Sequence, residues 1–457
     1  MQASRAENFS AGNFAPENFS TRNFSLTPLL LSHFTATSCL GRGRQQTLDA
    51  LRQGLHALKP CDFESVDLPT FIGEVAGVDE VQLAPGLADY NCRNNRLAQL
   101  ALEQDGFATA VKLAAIKYGH ERIGVFLGTS TSGILETELA FRARDPVTGA
   151  LPSGLIYSKT QNTYSVADFT RQYFALTGPA LVVSSACSSS AKVFSVARRM
   201  IAAGLIDAAV VGGVDSLCLT TLYGFNSLDL LSPQPCRPGD IARDGISIGE
   251  AAAFALLERP DAAPATHQYA TTDQQSDQPN DQQIDYNARA VLLLGIGESS
   301  DAYHMSSPHP EGLGARLAMG QALHSAGLSA EAIDYINLHG TATLSNDAAE
   351  AKAVNAVFGH DTPCSSTKGA TGHTLGAAGA MEAVICALAL QHGFIPGGLN
   401  TQHLDPELQL NYQLQQPGLS PALTTVMSNS FGFGGTNCSL IFGLTTAAAT
   451  SVAQSMP

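Results

Sequence analysis

Between Ala377 and Leu390 the chain runs for fourteen residues with a single charge, Glu382. Wound as a helix, this segment is apolar on nearly every face, so it belongs in the middle of the molecule rather than on its surface. It is interrupted by Glu382 and falls short of the ~20 residues needed to span a bilayer. The cover it requires is therefore protein. The Lys368 and His373 that stand at its mouth are drawn toward the centre with it.

The rest of the chain supplies the layers. The runs 123–128, 180–185, 208–212, 252–258, 290–295, 335–338 and 425–428 read as buried strands, several of them followed by a Gly- or Ser-rich turn and a helix. This is α/β layering with mixed sheets. A chain of 457 residues exceeds one ordinary core and points to two domains or a duplicated one. Only 14% of residues are charged, against a typical ~25%. With 42 glycines and 7% aromatics, that predicts broad buried surfaces, close backbone packing and an oligomer. The net charge of −15 argues against general affinity for nucleic acid or anionic membrane.

Four segments are expected. Residues 1–25 form a low-complexity arm in which Asn-Phe recurs at Asn8, Asn13, Asn18 and Asn23. Residues 26–260 form an N-terminal half, 261–288 a polar insertion or linker, and 289–457 a C-terminal half. The nine cysteines contain no Cys-x-x-Cys pair, so neither a structural zinc site nor a disulfide framework is expected. No basic-then-apolar secretory pattern opens the chain. The expectation is a soluble cytoplasmic protein without a transmembrane segment.

Four constellations carry chemistry. In Val183-Ser184-Ser185-Ala186-Cys187-Ser188-Ser189-Ser190 a strand delivers Cys187 to the first turn of a helix. Exposed N–H groups and the helix dipole there favour thiolate, as a nucleophile requires; a small cysteine filling a corner is the plainer alternative. In Leu338-His339-Gly340-Thr341-Ala342-Thr343 a histidine ends a buried strand, with Asp347 and Glu350 opening the next helix either as caps or as part of a site. In Thr367-Lys368-Gly369-Ala370-Thr371-Gly372-His373 a buried cation needs a partner, and Glu350 is the expected counter-charge. In Phe431-Gly432-Phe433-Gly434-Gly435-Thr436-Asn437 no βαβ unit follows the glycines, which rejects a dinucleotide loop. A mobile loop placing an N–H and an aromatic ring against a substrate is expected instead.

Taken in order, these motifs resemble the β-ketoacyl-acyl-carrier-protein synthases of the thiolase superfamily, over about residues 26–443. The segment Cys236-Arg237-Pro238-Gly239-Asp240 through Arg243-Asp244-Gly245 to Gly249-Glu250 adds to the resemblance. It implies two similar halves stacked as five layers, α-β-α-β-α, usually dimerised edge to edge. It further implies Cys187 as the nucleophile, His339 and His373 as donors to an enolate, and Lys368, paired with Glu350, holding the field around His373. Asp347 is a supporting residue. The backbone N–H groups of Cys187 and Phe433 form an oxyanion hole, Phe431 and Phe433 belong to a gate, and Thr341 and Thr343 bind pantetheine amides.

The implied reaction is decarboxylative condensation of a Cys-bound acyl group with a malonyl carrier protein, with no bound cofactor or metal. The partners are an acyl carrier protein and an identical or ketosynthase-like second subunit. Arg142 and Arg144 are candidates for docking the acidic carrier. Leu344 stands where the family usually has proline and Gly239 where it has phenylalanine. The segments 90–96 and 162–169 also depart from the housekeeping pattern, which points toward a specialised pathway of the aryl polyene kind. A chain-length-factor-like inert partner and a coenzyme-A-dependent thiolase are the rival readings.

Overall fold

The structure is a computed structural model and describes residues 27–260, 289–414 and 423–445. The Asn-Phe arm and the polar insertion at 261–288 lie outside the described residues. Ten strands carry the fold. They are β1 (Leu29–Ser38), β2 (Ile123–Gly128), β3 (Ala180–Val183), β4 (Ala208–Asp215) and β5 (Ala251–Glu258), then β6 (Val291–Ser300), β7 (Tyr335–Asn337), β8 (Pro363–Ser365), β9 (Thr425–Gly432) and β10 (Thr436–Leu444).

Their spatial order exposes a duplication. The first five lie as β3-β2-β4-β5-β1 and the second five as β8-β7-β9-β10-β6, the same order counted from the start of each half. In each half the second strand runs parallel to the third and fourth, and the fifth is antiparallel to the fourth and first. The two halves are also hydrogen-bonded into one continuous path, because Leu29–Leu31 of β1 pairs with Val291–Leu293 of β6.

Both faces of these strands are apolar, which is why they read as unbroken hydrophobic runs. In β5, Ala251, Ala253, Ala255 and Leu257 enter the central core, while Ala252, Phe254 and Leu256 enter an outer one with Leu97, Phe107 and Phe169. A third core covers the far side of the second half with Met319, Ile336, Val354 and Met427. The central layer contains two crossover helices, α1 (Ser189–Ala202) and, further along the chain, α3 (Ala378–His392), with α2 (Leu344–Phe358) outside. These layers match the five expected.

The apolar helix found in the sequence is α3, buried from Ala378 to Leu390. The stretch Leu375–His392 is apolar enough on composition alone to cross a membrane, but 89% of it is buried inside the protein. It crosses α1 at close range: a Cβ on Gly379 would lie 2.6 Å from the Ala191 nitrogen. Contacts of this kind account for the abundance of glycine.

Candidate active site

The carboxyl ends of β3, β7, β8 and β9 bring the four constellations together. After β3 the chain turns through Ala186 at φ +50°, a left-handed conformation that a β-carbon disfavours. Local hydroxyls hold the turn: Ser189 Oγ donates to the Ala186 carbonyl at 2.5 Å and accepts from the Ser185 N–H at 2.9 Å. Cys187 thus sits just ahead of α1, two residues before its first helical residue.

His373 approaches from the other half. Its backbone is bridged to Ile248, with His373 N–H to Ser247 O at 2.7 Å and Gly249 N–H to His373 O at 3.0 Å. Its Nε2 lies 3.0 Å from the Cys187 sulfur, and its Nδ1 accepts the Leu375 N–H at 3.3 Å. An accepting Nδ1 leaves the proton of a neutral ring on Nε2. The side of His373 that faces the sulfur is therefore a donor. His339 stands edge-on to it, ring centroids 5.4 Å apart, and 5.9 Å from Phe431. Burial, then the nearby Lys368 charge, holds both imidazoles well below their ordinary range, with His373 a further cause for His339. Both are neutral at physiological pH.

Two sequence expectations are corrected here. Lys368 is buried, and its ammonium pairs with Glu382 of α3, not with Glu350. Glu350 instead accepts the backbone N–H groups of His339 at 2.8 Å and Gly340 at 2.7 Å, with the Asn429 amide at 3.3 Å. It fixes the turn that carries His339. Burial pushes both Glu350 and Glu382 up to about 7. The second correction concerns the nucleophile. Burial pushes the Cys187 thiol up to about 11, against the opposing pull of Lys368 and of the Phe433 and Cys187 N–H groups. Desolvation of the charged form outweighs the helix terminus.

A solvent-open cleft of about 560 Å³ leads to these groups. Cys187, His339, His373, Thr341, Thr343, Phe431 and Phe433 all line it. The Thr341 and Thr343 hydroxyls are 3.0 Å apart, and Thr343 also caps α2 by accepting the Asn346 N–H. Phe433 packs on Phe225 with centroids 5.7 Å apart. The loop beyond it turns through Gly434 at φ +79° and is tied to a second segment by Gly434 N–H to Met305 O at 2.7 Å and Asp301 N–H to Gly435 O at 2.8 Å.

Asp347 is buried behind the cleft, where it accepts the Gly239 N–H at 2.9 Å and the Ala342 N–H at 3.2 Å. It buttresses the His339 turn. Arg142 and Arg144 do not line the cleft; Arg142 bonds Ser65 at 2.7 Å and approaches Glu64 at 3.8 Å.

Sequence reasoning missed three residues. Glu382 was legible as the lone charge in an apolar helix, fourteen residues after a buried lysine. Asn429 ties Glu350 to Ser439. Asp215, at the end of β4, accepts Thr129 Oγ1 at 2.6 Å, Ser130 N–H at 2.8 Å, Thr131 N–H at 2.9 Å and Gly376 N–H at 2.5 Å. It joins the two halves beside His373. No local pattern marked it.

Comparison with known proteins agrees with this arrangement. Residues 94–263 match the N-terminal domain and residues 290–402 the C-terminal domain of β-ketoacyl synthases. A 3-oxoacyl-[acyl-carrier-protein] synthase 2 of Vibrio cholerae is 33% identical over 359 residues, 75% of this chain and 79% of the relative. The chain belongs to the β-ketoacyl synthase family.

Members of this family are condensing enzymes of the acyltransferase type. A mitochondrial 3-oxoacyl-[acyl-carrier-protein] synthase of Arabidopsis thaliana is 38% identical over 282 residues, 59% of this ketosynthase-family chain, and the match spans 57% of the relative's own length. Among solved structures, the ketosynthase ApeO in complex with its chain length factor ApeC from Xenorhabdus doucetiae is similar over 94% of this chain and 100% of that one. The identity is 37% and the TM-score 0.78.

Proposed function

We propose that this chain is a β-ketoacyl-acyl-carrier-protein synthase whose nucleophile is Cys187. The observation that carries the proposal is the convergence of the Cys187 sulfur, the His373 Nε2 at 3.0 Å and the ring of His339 at the base of one cleft. An acyl group arrives as a thioester on a carrier protein's phosphopantetheine, which needs no cofactor bound to the enzyme. Exchange forms the Cys187 thioester and frees the pantetheine thiol. The proton lost from one sulfur is gained by the other, so the transfer consumes no net base.

Malonyl carrier protein then takes the cleft, with Thr341 and Thr343 bonding its pantetheine amides. Loss of CO2 leaves an enolate, and its oxygen receives N–H donors from His339 and His373, which are neutral and preorganised for that charge. The enolate carbon attacks the Cys187 thioester. The Cys187 and Phe433 N–H groups hold the tetrahedral oxyanion, whose collapse releases the β-ketoacyl carrier and a thiolate that takes up a proton. Lys368, neutralised by Glu382, and Glu350 and Asp347 position these groups; Phe431 and Phe433 form the gate.

The same reading makes the enzyme cytoplasmic and its partners an acidic carrier protein and a second ketosynthase-like subunit. Similarity over 94% of the chain to a solved complex of a ketosynthase with its chain length factor supports a heterodimer. The retained Cys187, His339 and His373 support this chain as its active half, and the departures at Leu344, Gly239 and segments 90–96 and 162–169 support a polyene pathway. The test is Cys187→Ala. It should abolish both acyl-enzyme formation and condensation; acylation retained at another residue would sink the assignment.

A further inference from the structure

The base of the cleft holds one sulfur and two imidazoles. Donor atoms of Cys187, His339 and His373 all lie within 4.8 Å of one another, with His373 Nε2 at 3.0 Å from the Cys187 sulfur. Zinc takes sulfur at about 2.3 Å and imidazole nitrogen at about 2.0–2.1 Å in a tetrahedron, which puts sulfur about 3.6 Å from each nitrogen and the nitrogens about 3.3 Å apart. The His373 Nε2–sulfur contact of 3.0 Å has to open by about 0.6 Å to reach this span, and the other separations lie within the 4.8 Å limit. Small ring rotations therefore close the set.

We propose that the free enzyme binds a soft divalent cation of the zinc type through Cys187, His339 and His373, and that the bound metal blocks acylation. Thiolate and imidazole are the donors such cations prefer over magnesium or calcium. Three protein ligands leave a fourth position facing the open cleft, where water completes the shell. No hydrogen-bond partner holds His339 Nδ1 among the described residues, so that ring is free to take whichever tautomer coordination requires. For His373 to coordinate through Nε2, its proton moves to Nδ1, so the ring gives up the 3.3 Å hydrogen bond from Leu375 and turns Nδ1 away from that N–H. Glu382 offsets the Lys368 charge nearby. Binding exchanges one bond for another: the Cys187 S–H becomes S–metal and the proton passes to water, with no change of oxidation state.

The consequence for turnover rests on the catalytic reading of Cys187. A thioester sulfur is a poor metal ligand, so metal and acyl group exclude each other. Zinc therefore stops loading of the resting enzyme but spares the acyl-enzyme.

The test uses the full chain, stripped by chelator. Equilibrium dialysis with zinc and metal analysis should find one Cys187-dependent equivalent, lost in Cys187→Ser and weakened about tenfold or more, ~1.4 kcal/mol, in His373→Ala. Cobalt(II) should give a thiolate charge-transfer band in the native chain and none in Cys187→Ser, whose circular dichroism should be native. Acyl loading should fail in zinc, whereas enzyme acylated beforehand should complete one condensation at its metal-free rate. Zinc binding unchanged in Cys187→Ser, as the exposed His304 and the half-buried His309 could produce, overturns the proposal. So does zinc that slows the preacylated enzyme as much as the resting one. A metal-free enzyme that never accepts an acyl group would instead defeat the catalytic reading and leave the metal site standing.

Discussion

Replacing Glu382 by Gln should destabilise the protein more than the same change at Glu350. Lys368 is 1% exposed, and Glu382 is its salt-bridge partner among the described residues. Removing that charge leaves a buried cation uncompensated, at a cost of about 3–5 kcal/mol. In Glu350→Gln the amide oxygen can still accept one backbone N–H of the two that the carboxylate holds, so the loss is about 1.5–3 kcal/mol, one charge-assisted bond. The chain has no tryptophan, so guanidinium unfolding is followed by far-ultraviolet circular dichroism. The double variant Lys368→Met, Glu382→Leu removes both charges and should recover most of the stability while condensation stays impaired. The reverse order, with Glu350→Gln the costlier change, would restore the pairing suggested by the sequence and refute this account of the buried charges.

Three further outcomes follow from the site. A thiol raised to about 11 carries less thiolate at any given pH, so the rate of Cys187 alkylation by iodoacetamide should climb about tenfold per pH unit from about pH 7 to 10. Lys368→Met should slow it further, and a plateau near neutrality would show that the helix terminus prevails over burial. His339→Ala should lower condensation about 10²–10³-fold, the cost of one oxyanion donor, with acyl loading of Cys187 retained; equal loss in both steps would remove His339 from the decarboxylation. Charge reversal at Arg142 and Arg144 should raise KM for carrier protein and spare self-acylation by a small thioester, and unchanged values for both would move docking elsewhere.

Much of the fold was legible because strands buried on both faces write unbroken apolar runs. Residues 123–128 were bounded correctly, and the apolar helix lay within one or two residues of its observed ends. Strand β3 stops at Val183 rather than Ser185, because the chain there already bends toward Ala186. The nucleophile, both histidines, the lysine and the gate residues stand at the ends of buried elements, where sequence order alone assembles them. Pairing among buried charges was less legible. Glu350 and Glu382 are both acids near Lys368, and only the geometry shows one spent on backbone N–H groups and the other on the ammonium. The Cys187 field was misjudged for a related reason: a helix terminus is visible in sequence, whereas the degree of burial is set by what both halves pack around it. Asp215 collects donors from residues more than eighty positions away on one side and 161 on the other, a relation no local pattern records.

The central claim is that this chain itself carries the acyl group and extends it. Intact mass after incubation with an acyl carrier protein, followed by addition of malonyl carrier protein and mass detection of the carrier, tests it directly. The account predicts one acyl adduct mapping to Cys187, discharged on malonyl addition as a β-ketoacyl carrier with release of CO2. A chain that gains no acyl mass alone or with its partner subunit present, while that partner is acylated, would be the inert half of the pair and would contradict it.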